Sequence, residues 1–87
     1  MKIYLGEKGL NKTWQEDFPK SIKCRDKKCK GNCRIMFIGF EGEKKEKFVC
    51  ELHKNMKDKK YWPHDCIAIA CYLCEKCFEV TSILNQA

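Results

Sequence analysis

Three features of the sequence predict a small, mainly β domain folded around a bound metal ion. Eight cysteines in 87 residues is about 9%, the range in which a cross-linked or metal-held scaffold is expected. Two of them form Cys74-Glu75-Lys76-Cys77. A two-residue gap lets both sulfurs point at one centre while inner amides of the turn donate to them. Short apolar segments flank that pair: Cys66-Ile67-Ala68-Ile69-Ala70-Cys71-Tyr72-Leu73 before it and Phe78-Glu79-Val80-Thr81-Ser82-Ile83-Leu84 after it. The expected architecture is an antiparallel sheet of three to four strands with a short N-terminal strand and turn.

A chain of this length supplies one domain with a modest core, and such domains often lean on a metal or on disulfides. The opening Met1-Lys2-Ile3-Tyr4-Leu5-Gly6-Glu7-Lys8 has no apolar segment like that of a secretory signal. A cytoplasmic, reducing setting is therefore expected, where disulfides are rare. Cys50, Cys66 and Cys71 also lie inside apolar segments, as buried free thiols do. Spacing and setting together favour zinc over a disulfide framework, with an exported toxin lacking a signal as the competing reading. The longest apolar run, residues 66–74, has nine residues, well short of a membrane span. Lys and Arg number 18 against 12 Asp and Glu, a formal charge of +6. Four thiolates on one Zn²⁺ remove about two charges from that sum, because the ligands deprotonate on binding. The remaining positive balance favours an anionic partner, though weakly.

Residues 2–5 read as a short strand ended by Gly6 and Gly9. Over residues 11–20, Thr13 can cap a short helical turn that Pro19 closes, with Trp14 and Phe18 covering one side of a small core. Residues 21–34 are dense in lysine and cysteine, with no large apolar residue after Ile22. Such a stretch needs an ordering agent, and a metal is the obvious one. Residues 34–40 read as a strand buried on both faces, 41–46 as a polar turn and 47–52 as the returning strand, the clearest hairpin in the chain. A lysine-rich loop at 53–60 leads through Tyr61 and Trp62 to the Cys66 segment. There Asp65 and the alanines permit a helix, yet the alternation of Ile67, Ile69, Cys71 and Leu73 with smaller residues favours a central strand. Residues 78–84 form a further strand with Val80, Ile83 and Leu84 partly buried. No repeat and no linker divides the chain, so 1–87 is read as one domain, with 1–21 an extension packed on 22–84.

A four-coordinate structural zinc needs a second pair to match Cys74 and Cys77. Cys24, Cys29 and Cys33 are the candidates, with four residues and then three between successive members. Cys24 with Cys29 is preferred, because Ile22 and Lys23 lead in as a strand and Gly31 gives the turn room to close. Cys29 with Cys33 stays open as the alternative. In this arrangement the chain resembles a zinc ribbon of the rubredoxin-like group, in which two metal-binding turns face each other across a three-stranded antiparallel sheet. The resemblance covers roughly residues 22–84 and implies turns at 24–29 and 74–77; its motif is generic. The first turn here has four intervening residues where two are usual, and Lys30 and Phe78 stand where the family has glycine. The Cys-Pro-X-Cys-Gly turn of rubredoxins is absent, which speaks against iron electron transfer. Cys50, His53, His64 and Cys66 would make a second, Cys₂His₂ set, although Cys50 and Cys66 also read as small apolar residues.

Four sulfur ligands close a metal's shell, whereas a catalytic zinc keeps a position for water. The neighbours Cys66 and His64, or Cys50 and His53, sit in no known nucleophile signature, so no enzymatic activity is expected. A thiol redox role for Cys74 and Cys77 is a lesser alternative. Dithiols of that kind usually open a helix, and residues 78–83 form one poorly. Charge points instead to binding. Lys23, Arg25, Lys27, Lys28, Lys30 and Arg34 surround the first turn with Asp26 opposing, and Lys54, Lys57, Lys59 and Lys60 precede Tyr61 and Trp62. Basic side chains beside aromatics suit a nucleic-acid backbone with stacked bases; small basic zinc ribbons resemble ribosomal and transcription-associated proteins. The candidate contacts are Arg25, Lys27, Lys28, Lys30, Arg34, Lys57, Lys59 and Lys60. A protein-binding adaptor is the other reading, since lysine-rich loops are usually solvated surface.

Overall fold

A computed structural model describes residues 1–13, 15–42, 48–49 and 66–86. Its elements are β1 (Lys2–Leu5), a 3₁₀ turn (Gly6–Gly9), β2 (Ser21–Lys23), β3 (Asn32–Phe40), β4 (Ile67–Cys74) and β5 (Val80–Gln86). Every strand pairing is antiparallel, and no α-helix occurs among the described residues. The small, mainly β, antiparallel architecture read from the sequence is the one observed, with five strands among the described residues because the short N-terminal strand pairs into the sheet.

β3 is the hub of the sheet. β4 pairs along one edge of it from Cys33 to Phe40. The other edge is shared end to end, β2 lying beside residues 32–34 and β1 beside residues 37–40. β5 pairs with β4 and completes the order β1-β3-β4-β5. The register slips between Ile35 and Phe37, so Met36 is an extra residue on β3. Such a bulge lets a strand change which parity faces the core. Cys33 and Ile35 lie on the inner face before it, Ile38 and Phe40 after it. Without the slip, the metal-end cysteine and the central Ile38 would point to opposite sides.

On β4 the inner set is Ala68, Ala70, Tyr72 and Cys74, all fully buried. The isoleucines Ile67 and Ile69 stand on the other parity. The core gathers this set with Leu10, Phe18, Cys33 and Ile38, and with Ile22, Ile35, Phe40 and Ile83 at its margin. Leu10 and Phe18 come from the loop between the 3₁₀ turn and β2, which crosses the inner face. Phe18 N–H donates to the Leu10 carbonyl at 3.0 Å. The Tyr72 hydroxyl donates to the Pro19 carbonyl at 2.6 Å, and Asn85 Nδ2 to the Glu16 carbonyl at 3.1 Å. These bonds stitch the loop to β4 and β5. The two alanines leave the space in which large loop side chains can sit.

Several expectations need correction. The described residues of 11–20 contain turns and bends rather than a helical turn. Thr13 donates its hydroxyl to the Glu16 carbonyl at 3.3 Å, whereas an N-cap accepts from an amide. Trp14, its expected partner in the core, lies outside the described residues. The expected hairpin partner of residues 34–40 was 47–52. Both edges of β3 are instead taken by β1, β2 and β4, and Phe48 and Val49, the described part of 47–52, are not in a strand. The start of the expected polar turn is also buried: Glu41 is 2% exposed. Its two carboxyl oxygens accept the Val49 amide at 2.6 Å and the Ile67 amide at 3.2 Å, while its own amide donates to the Ile67 carbonyl. Val80 and Leu84, expected to be partly buried, are 53% and 52% exposed.

Candidate metal centre

Two turns meet at one end of the sheet. The first is delivered by β2, whose last residue precedes Cys24. Cys24 N–H donates to the Gly31 carbonyl at 2.9 Å, closing the base of the loop. Within it, Asp26 accepts twice: its carboxylate takes the Lys28 amide at 2.9 Å and its carbonyl the Cys29 amide at 3.0 Å. An aspartate that bonds the backbone two residues on builds a turn of its own, which is how four intervening residues still bring Cys24 and Cys29 to one point. The second turn follows β4. Cys74 Sγ accepts the amides of Lys76 at 3.4 Å and Cys77 at 3.5 Å, and the Cys74 carbonyl accepts the Phe78 amide at 3.0 Å.

Each turn ends in a non-glycine residue of left-handed conformation, Lys30 at φ 54° and Phe78 at φ 63°. These are the two positions where the sequence departs from the zinc-ribbon pattern by lacking glycine. The turns keep the backbone that glycine would favour and carry the steric cost of a Cβ there.

The turns are tied together as well as shaped. Glu75 N–H donates to the Asn32 carbonyl at 2.9 Å, and Lys76 Nζ donates to the Cys29 carbonyl at 3.2 Å. Arg34 Nε lies 2.9 Å from a Glu75 carboxylate oxygen. The result places Cys24 Sγ 3.6 Å from Cys77 Sγ and Cys29 Sγ 3.7 Å from Cys74 Sγ. All four sulfurs lie within 4.8 Å of one another. A regular tetrahedron with metal–sulfur arms of about 2.3 Å has edges of about 3.8 Å, so the four thiols can hold a metal ion with little rearrangement. Gly31 makes room for them. A Cβ built there would stand 2.8 Å from Cys74 Sγ, 2.9 Å from Lys76 Cβ and 3.3 Å from Cys29 Sγ.

The thiols differ electrostatically. The amides of Cys77 and then Lys76 stabilise the Cys74 thiolate and bring its pKa down to about 6 against the pull of burial. At Cys24 the Asp26 amide acts in the same sense, but desolvation and the neighbouring thiols outweigh it and the pKa is raised. Desolvation raises Cys29 too. Packed together without a cation, four sulfurs cannot all ionise; a divalent ion removes that conflict.

Of the sequence-predicted ligands, Cys24, Cys29, Cys74 and Cys77 are brought together and Cys33 is not part of the group. Cys33 is fully buried, in register with Cys74, and its thiol pKa is raised by desolvation. In the proposed second set, Cys66 is partly buried at the entry to β4, while Cys50, His53 and His64 lie outside the described residues. Among the nucleic-acid candidates, Arg25, Lys27, Lys28, Lys30 and Arg34 are all exposed, and Lys57, Lys59 and Lys60 lie outside the described residues. Sequence reasoning missed the bridging by Lys76 and the turn-building by Asp26; an aspartate two residues before an amide inside a cysteine loop was the available signal for the latter.

No protein-family model, curated protein or solved structure matches the chain.

Proposed function

We propose that this chain is a small zinc-binding protein of zinc-ribbon type, in which a structural Cys₄ site supports a non-catalytic nucleic-acid-binding surface. The observation that carries the metal half is the set of four sulfurs from two facing turns, all within 4.8 Å of one another. An all-thiolate set suits zinc or iron. The absence of the rubredoxin turn sequence favours zinc. With four protein ligands there is no position for a reactive water, so the ion's part is to order the chain. A dithiol redox role gains nothing here, because Cys77 leads to β5 and not to a helix whose N-terminus would activate it.

The binding half rests on charge. Arg25, Lys27, Lys28 and Lys30 crown the first turn and are exposed. Arg34 contributes less, since its guanidinium is engaged by Glu75. Zinc-loaded protein should contain about one zinc per chain by elemental analysis, and bind RNA or DNA oligonucleotides with an affinity that falls steeply with added salt. Protein isolated without metal and with oxidised thiols would sink the metal reading; a flat salt response would sink the nucleic-acid one.

A protein-binding adaptor is the second reading, and one observation favours it. The register sets Ile3, Gly39, Ile69 and Leu84 side by side across the face opposite the core. Ile3, Leu5, Val80 and Leu84 are each more than half exposed, and clustered apolar exposure marks an interaction surface.

A further inference from the structure

We infer that Phe78 is a stacking platform for an unpaired base, so that the ligand of the basic end is a single-stranded nucleic acid. The inference rests on the nucleic-acid reading above and sharpens it. Phe78 follows Cys77 directly and is 69% exposed. Its backbone sits at φ 63°, where glycine would be at ease and a phenylalanine is strained. Among the described residues the ring has no partner in the fold. It is not in the core, and the ring pair found among the described residues is Tyr4 with Phe40. A large aromatic side chain held at a strained, exposed position serves something outside the fold.

The turn fixes the backbone that carries the ring. Phe78 N–H is held by the Cys74 carbonyl at 3.0 Å, and the next residue's carbonyl accepts the Cys74 amide at 2.9 Å. Opposite it, across sulfurs 3.6 Å apart, stands the first turn with exposed Arg25, Lys27, Lys28 and Lys30. The local carboxylates are exposed but each has a contact at this end of the sheet. Asp26 accepts the Lys28 amide, Glu75 pairs with Arg34, and a Glu79 oxygen lies 3.6 Å from Cys24 Sγ. Exposed cations on the first turn and an exposed π face on the second thus share the end of the sheet where the cysteine turns meet. Phosphates fit the former and a base the latter, and stacking is tolerant of sequence because every base has a π face. A duplex buries those faces within its own stack and offers this ring nothing to cover.

The test uses the zinc-loaded full chain with a labelled 12-nucleotide oligothymidylate and a duplex of equal length, read by fluorescence anisotropy. Phe78→Gly suits the left-handed backbone, so it should keep its metal and melt no lower than the parent. It should bind the single strand roughly 5- to 140-fold more weakly, the span that losing one stacked base implies, with duplex binding unchanged. Phe78→Leu keeps the apolar bulk without the π face and should lose a similar factor; Phe78→Trp should retain affinity. Unchanged single-strand binding by the glycine and leucine variants overturns the inference and leaves the nucleic-acid reading standing, as does an equal loss for both ligands. Failure of the parent protein to bind either oligonucleotide removes both.

Discussion

Gly31 shows how much a single methyl group matters beside the four-cysteine cluster. Its missing Cβ is the space into which Cys74 Sγ and Lys76 Cβ fit at under 3 Å. Gly31→Ala should therefore cost about 1–3 kcal/mol through overpacking, with the sulfurs, tied to one point, unable to give way. A chelator competition should find weaker metal retention in the variant. Lys30 offers the opposite case. Its φ of 54° penalises any side chain with a Cβ, so Lys30→Gly should stabilise the zinc-loaded protein by up to about 1 kcal/mol. At this size that appears as a rise of several degrees in the melting temperature. Cys33 tests the ligand set. Cys33→Ala should leave the metal content per chain unchanged and lower stability by about 1–2 kcal/mol, the loss from truncating a small buried group. A variant that loses its metal would place Cys33 among the ligands.

At the scale of elements, the join between β3 and β4 depends on Glu41, whose oxygens bond the Val49 and Ile67 amides from a position 2% exposed. Leaving a buried donor unsatisfied costs about 1–3 kcal/mol. Glu41→Ala should destabilise by at least that much. Glu41→Gln should recover only part of it, since an amide group has one acceptor oxygen where two are used. Denaturant titration of both variants checks the order. This is also where the reading of the sequence was weakest. The string Glu41-Gly42-Glu43-Lys44-Lys45-Glu46 looks like a solvated turn, and composition carries no sign that its first residue is buried. Likewise, residues 34–40 looked buried on both faces because the bulge at Met36 breaks their alternation. A short strand with an interrupted period gives no direct clue to which side faces inward.

For the whole molecule, the proposed zinc site would make metal binding and folding one equilibrium. The two turns carry the cysteines from points 53 and 45 residues apart, and the lysine-rich first turn has little apolar substance of its own. Removing zinc with a chelator, or Cys74→Ser, should abolish the cooperative thermal transition, because ligand-set free energy is folding free energy in a domain of this kind. Circular dichroism on heating would measure it, and a mutant melting as the parent does would sink the claim. On the proposed nucleic-acid-binding function, affinity for an oligonucleotide should disappear in the same variant, because the cations of the first turn sit on the loop that carries Cys24 and Cys29.

Local chemistry was legible in the amino-acid order: the cysteine turns, the strand at β4, the apolar run of β5, and the crowding of cations around Cys24 and Cys29. These depend on neighbours a few residues apart, where backbone geometry sets what a spacing can do. Which cysteines converge was not settled by spacing, because Cys24–Cys29 and Cys29–Cys33 both fit a metal turn. Tertiary structure decided it. The pairing of β2 and β4 with β3 seats Cys33 within the sheet beside Cys74, and leaves Cys24 and Cys29 on the loop that faces the second turn. The same pairing, with its one-residue slip, chose the alanine face of β4 for the core. Register is a long-range property, fixed by the burial of one whole face against another, and no short window of sequence contains it.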